Sequence, residues 1–106
     1  MNKIPEKLKY KVNFYKRGEM VFISHLDLMT LFRRAIRRAG LPFILTEGFT
    51  PLIRISMPKA LKLGVESDNE EIVLWLSDRV EPDTLCEKLN RELPEGIKAF
   101  DAALIG

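Results

Sequence analysis

Residues 22–42 read Phe22-Ile23-Ser24-His25-Leu26-Asp27-Leu28-Met29-Thr30-Leu31-Phe32-Arg33-Arg34-Ala35-Ile36-Arg37-Arg38-Ala39-Gly40-Leu41-Pro42, and this stretch decides how the rest of the chain is read. Ser24 followed three residues later by Asp27 has the form of an N-cap with an acidic residue in the first turn, a variant of the capping box. From Leu28 onward the apolar residues Leu28, Phe32, Ala35, Ile36 and Ala39 recur at three- and four-residue steps, which makes one side of a helix apolar. Gly40 and Pro42 then supply a C′ residue and a stop beyond it. The pattern predicts a helix over residues 25–39.

Working outward, Tyr10, Val12 and Phe14 alternate with polar residues at the period of a half-buried strand. Residues 16–19 are turn-like, and residues 20–23 read as a short continuation strand. Beyond the helix, residues 43–45 and the alternating residues 53–57 suggest two strands around a turn at residues 47–51. Residues 58–70 form a loop that Leu61, Leu63 and Val65 are expected to anchor to the body. Ile72, Val73, Leu74, Trp75 and Leu76 are apolar on both faces, as a central strand requires. Pro82 suits the first turn of a second helix over residues 82–93, with the stripe Leu85, Cys86, Leu89 and Leu93. A last strand over residues 97–104 is expected to place Phe100, Ala102 and Leu104 on one side.

Short extra strands apart, the order is βαββαβ. It predicts one α+β domain over residues 1–106, a ferredoxin-like sandwich with both helices on one face of an antiparallel sheet. Trp75 then belongs either to the core or to the open face of the sheet, where it would meet a protein partner or a second copy of the chain.

The composition removes several classes of protein. At 106 residues, 46% hydrophobic and 30% charged, the chain suits one folded domain rather than a disordered or fibrous one. Uncharged runs such as residues 39–46 are far shorter than a membrane span, and Lys3, Glu6 and Lys7 stand where a secretory signal would be apolar, so a cytoplasmic location is expected. One Cys and one His cannot build a protein-only zinc or iron–sulfur site, so neither metal nor cofactor is expected in this chain.

The net charge of +2 conceals an uneven distribution. Residues 1–64 carry 13 Lys and Arg against 4 Asp and Glu, whereas residues 65–106 carry 4 against 11. Such asymmetry suggests a basic face for a phosphate-rich partner, unless interleaved strands mix the two halves. Arg33, Arg34, Arg37 and Arg38 lie on two adjacent helical rows away from the apolar stripe, a candidate ridge for nucleic-acid phosphates. Basic residues in a last helical turn also complement the helix dipole without any ligand. Lys16, Arg17 and Arg54 extend the candidate nucleic-acid-binding set. His25, at the start of the helix, is a candidate general base for attack of a ribose hydroxyl on a phosphate held by those arginines, or else a structural histidine. Cys86, on the buried stripe of the second helix, reads as a small core residue.

Taken in order, Tyr10 to Phe14, the Ser24-His25-Leu26-Asp27-Leu28-Met29 stretch, Arg37-Arg38-Ala39-Gly40-Leu41-Pro42, Glu47-Gly48-Phe49 and Gly64-Val65-Glu66-Ser67 resemble the bacterial radical-SAM-linked protein family, a DUF2344-like domain of unknown function. The resemblance covers nearly the whole chain and implies a partner, a separate or fused radical-SAM protein, whose cluster cannot be ligated here because that needs three cysteines. Members usually continue from Glu-Gly-Phe into a histidine-containing stretch. Residues 50–56 of this chain keep the proline and a basic residue but no second histidine. Members also tend to be longer, which fits a short member or an N-terminal fragment.

The leading expectation is an accessory module that binds RNA, ribosomal or transfer RNA being the candidates, and presents it to the radical-SAM protein. The alternatives are a metal-independent RNA-cleaving or RNA-modifying enzyme using His25, and a protein-docking module centred on Trp75.

Overall fold

In the computed structural model, which describes residues 7–106, the alternation around Tyr10 becomes the central strand β1 (Leu8–Lys16). Tyr10, Val12, Phe14 and Lys16 are buried, while Lys9, Lys11, Asn13 and Tyr15 take the other face. A 3-10 turn (Gly18–Phe22) leads to α1 (His25–Arg38), β2 (Ile55–Ser56), β3 (Ser67–Leu76), α2 (Pro82–Glu92) and β4 (Ile97–Leu104). The sheet order is β2-β3-β1-β4 with every neighbouring pair antiparallel. This is an α+β fold with a four-stranded sheet and two helices, compatible with the ferredoxin-like sandwich that the pattern predicts. The polar residues Lys3 and Glu6 lie outside the described residues.

The apolar stripes of both helices meet the sheet in one cluster. Leu28, Phe32 and Ile36 from α1 and Leu85 and Leu89 from α2 pack on Tyr10, Val12, Phe14, Ile72, Leu74 and Leu76. Phe14 and Phe32 pack edge to face, with centroids 4.9 Å apart and planes at 61°. The buried Tyr10 hydroxyl accepts a 2.9 Å hydrogen bond from the Val80 amide, so its polar atom is not stranded. Ser24 caps α1 as expected, its Oγ accepting from the Asp27 amide at 3.1 Å.

Four local expectations are corrected. Residues 20–23 are not a strand, because Gly18 turns the chain at φ 63° out of the sheet and a 3-10 turn carries it to the cap. Residues 43–45 and 53–57 give only the bridges Phe43↔Leu76 and Leu45↔Ile53 and the two-residue β2. They form instead an arm, residues 43–54, closed by Thr46 N to Leu52 O and Arg54 N to Ile44 O, each 2.7 Å. On β4 the register slips between Asn13↔Asp101 and Phe14↔Ala99, so Phe100 is the extra residue of a bulge and faces out, while Leu104 is also partly exposed at the sheet edge. In the loop before β3, Leu61 packs on the core but Leu63 and Val65 are exposed. Polar contacts tie that loop down: Gly64 N to Val21 O at 2.6 Å, Gly18 N to Glu66 Oε2 at 3.1 Å, and the Lys16 ammonium to Lys62 O at 2.8 Å.

The topology also disposes of the simple charge division. β1 comes from the basic half of the sequence and lies between β3 and β4 from the acidic half. Positive charge is therefore concentrated in particular places, rather than over half of the molecule.

Candidate functional site

α1 packs its apolar stripe inward, which turns Thr30, Arg33, Arg34 and Arg37 toward the arm. Together with Pro51, Leu52 and Ile53 they line an open cleft of about 420 Å³. Arg33 is half-buried and donates from Nε to the Ile53 carbonyl at 2.9 Å, so it braces the arm against the helix. The Arg37 guanidinium lies 5.0 Å from the centre of the Phe43 ring. Arg34, Arg37 and Arg38 are exposed.

Among the described residues the one ion pair is Arg17 with Asp68, at 3.0 Å. No carboxylate among the described residues is thus paired with an α1 arginine. Among the described residues no Asp or Glu lines the cleft, and its apolar wall of Pro51, Leu52 and Ile53 leaves the guanidinium donors of Arg34 and Arg37 open to an anion.

The remaining basic candidates separate. Arg54, at the root of the arm, lies on the opposite face of the sheet, where its guanidinium carbon is 4.3 Å from the centre of the Trp75 ring. Lys9 pairs with Trp75 across the β1–β3 ladder and places its ammonium 5.6 Å from the same ring. Trp75 therefore occupies the open face, flanked by two cations, and not the core.

Lys16 and Arg17 sit at the far end of the sheet, where Lys16 pairs with Ser67. Lys16 is a correction to the binding set: it is 1% exposed and its ammonium donates to Lys62 O, out of reach of a phosphate backbone. The β1 alternation places it in the inward row with Tyr10, Val12 and Phe14, a signal that was already in the sequence. Arg17 is committed to Asp68 and stacks on Tyr15, with its guanidinium carbon 3.8 Å from the ring centre.

His25 is exposed at the first position of α1, and no side-chain hydrogen bond involves it among the described residues. A helix rises 1.5 Å per residue, which separates His25 from Arg33 and Arg34 by roughly 12 Å along the axis and from Arg37 and Arg38 by roughly 18 Å or more. The histidine and the arginines thus start at least two helical turns apart. Glu66 accepts from the Gly18 amide.

Cys86 is half-buried on α2, and its thiol is pushed up from the ordinary value by burial first, then by the negative charges of Asp101 and Asp83. A thiol so placed is a poor thiolate. Among the described residues, no three His, Cys, Asp or Glu side chains converge in the way a metal ion needs.

Residues 9–106 match the family described as an uncharacterized protein conserved in bacteria, DUF2344. The chain belongs to this family. The matched span includes β1 from Lys9 and every later element, and with them the cleft, the arm and Trp75. No curated protein and no solved structure matches the chain at a significant level. No helix among the described residues is long and apolar enough to cross a membrane.

The Arg54–Trp75–Lys9 group was not legible as a unit in the sequence. The uninterrupted apolar run from Ile72 to Leu76 hides which residues face the helices, and only strand pairing brings Lys9 and Arg54, 45 positions apart, to one ring.

Proposed function

We propose that this protein is an accessory RNA-binding module that holds the phosphate backbone in the cleft between α1 and the arm. The observation that carries this is the set of α1 arginines, which among the described residues have no carboxylate partner and three of which line a cleft with no described acidic residue. Backbone phosphates reward such a cluster through counterion release, and guanidinium groups can take two phosphate oxygens each. Ribosomal or transfer RNA and a radical-SAM partner enter from the family resemblance, with the present chain presenting the RNA and the partner carrying the chemistry.

The test is fluorescence anisotropy of labelled single-stranded, hairpin and duplex RNA at several salt concentrations. Wild type should bind with a salt dependence of several phosphate contacts. The triple variant R34A/R37A/R38A should bind weakly and lower the logarithmic salt slope by about 2. Arg33 is left in place because it braces the arm. Equal affinity of the variant and wild type would remove the cleft from the model of binding.

A second reading, docking to the radical-SAM protein, is favoured by the exposed apolar residues before and at the start of α1. Phe22 is 71% and Leu26 is 76% exposed, and the Phe22 ring borders Gly64, between the exposed Leu63 and Val65. These side chains are a better docking candidate than Trp75, whose ring is flanked by cations. Co-purification with the partner that survives F22S/L26S would count against it.

A further inference from the structure

We propose that Trp75 on the open face of the sheet is a stacking platform for a base of a single-stranded nucleic acid, with Arg54, Lys9 and Lys11 taking the adjoining phosphates. This rests on the RNA-binding reading above and narrows it from backbone contact in general to unpaired RNA.

The ladder builds the platform. Lys9 stands beside Trp75 on β1, Arg54 flanks it from the root of the arm, and both place their charges within cation–π distance of the ring. In the next row Lys11 and Ser56 lie on either side of the buried Val73. Neither row contains an Asp or Glu. The carboxylates of Glu71 and Asp101 come in the row after, opposite Asn13, and Glu71 is roughly 13 Å from Trp75 along β3.

An apolar ring set among three cations matches a nucleotide, which is a flat base tied to an anion. It matches a duplex poorly, because the bases of a duplex are already stacked on each other. The cations that now lie against the ring do not block it: an exposed cation–π contact is worth about 2- to 5-fold in an equilibrium, whereas a base stacked on an aromatic side chain is worth about 5- to 150-fold. A base can thus displace Arg54 from the ring and leave its guanidinium free for the phosphate.

The two surfaces also adjoin in the chain. The Ile53 carbonyl is held by Arg33 on the cleft side, and the next residue, Arg54, reaches Trp75 on the other. A strand leaving the cleft would round the β2 edge onto the platform.

Trp75 is the only tryptophan in the sequence, so its emission reports this site alone. An oligouridylate of about 12 nucleotides, a length within the usual site sizes of single-strand binders, is titrated against the whole chain and followed by Trp75 emission and, with a labelled copy, by anisotropy. The expected result is quenching that saturates together with the anisotropy, and no quenching by a duplex of equal length. W75F should keep most of the affinity, W75L should lose about 5-fold or more, and R54A, at a surface position, should also weaken binding with its circular dichroism unchanged. A rise in anisotropy without quenching, together with full affinity in R54A, would overturn the platform and leave RNA binding in the cleft standing. No anisotropy change with either single strand or duplex would overturn both.

Discussion

The side-chain amide of Asn90 closes on the peptide group of Ala99 with two hydrogen bonds of 2.8 Å, its Nδ2 donating to the Ala99 carbonyl and its Oδ1 accepting from the Ala99 amide. Asn90 thus does for the edge of β4 what another strand would do. The contact falls at the bulge, where Phe100 is extruded and the β1 register slips. An open edge invites pairing with another chain, and here a helix side chain occupies it.

Removing that amide should therefore cost stability. N90A leaves both Ala99 groups without their partner, and a loss of about 1–3 kcal/mol is expected in chemical denaturation. N90D keeps an acceptor for the amide but sets a carboxylate oxygen against the Ala99 carbonyl, so it should be no better than N90A. Unfolding curves for both that overlay wild type would show that the edge is satisfied some other way.

Lys16 makes a different prediction because its charge is internal. K16M retains most of the buried stem and loses only the bond to Lys62 O. Hydrogen exchange of the Gly64 amide, which pairs with Val21 O, and tryptic cleavage after Lys59 and Lys62 should both accelerate. RNA affinity should stay within about 2-fold of wild type, since the ammonium does not reach the surface. A tenfold fall in affinity with unchanged exchange would return Lys16 to the binding set.

Gly96 has φ 101°, and a Cβ built there would lie 2.6 Å from Arg17 O and 2.8 Å from Met20 Cγ. The tight approach lets Arg17 N donate to Gly96 O at 2.8 Å, which joins the end of β1 to the turn before β4. G96A combines a strained backbone with a backbone clash and should destabilise by about 2 kcal/mol or more. A thermal midpoint equal to that of wild type would refute this packing.

The Cys86 thiol should titrate above its ordinary value, because burial and the nearby Asp101 and Asp83 carboxylates all disfavour the thiolate. Alkylation of the native chain at neutral pH should be slower than that of the unfolded chain, with its pH profile displaced to higher pH. The sign for stability follows: with the folded thiol pushed up, its contribution is complete below the unfolded thiol's ordinary range and is lost as pH rises through the folded one. D101N should bring the native profile back toward lower pH, and an unmoved profile would leave burial and Asp83 as the causes.

Legibility varied along the chain for identifiable reasons. The helices and β4 were readable because a 3.6-residue stripe with a cap, or an apolar-rich run that follows Pro94 and Gly96, is a local signal repeated over several turns or residues. Residues 20–23 misled because four apolar residues fit a strand and a 3-10 turn equally well. The arm was misread as two strands for a related reason: Pro42 and Pro51 interrupt regular pairing, but the surrounding residues keep strand-like alternation. Phe100 was misassigned because a bulge reverses the side-chain alternation and leaves no local mark in the sequence.

The sequence by itself determined the βαββαβ order, the inward faces of β1, α1 and α2, and the placement of four arginines off the apolar stripe of α1, since each depends on periodicity along one segment. Only the tertiary structure decided that the Lys16 ammonium ends on Lys62 O, that Arg17 is paired with Asp68, that Arg33 braces the arm, and that Arg54 and Lys9 meet at Trp75. These outcomes depend on strand register and on which segments cross, and a shift of one residue in the β1–β3 register would separate Lys9 from Trp75.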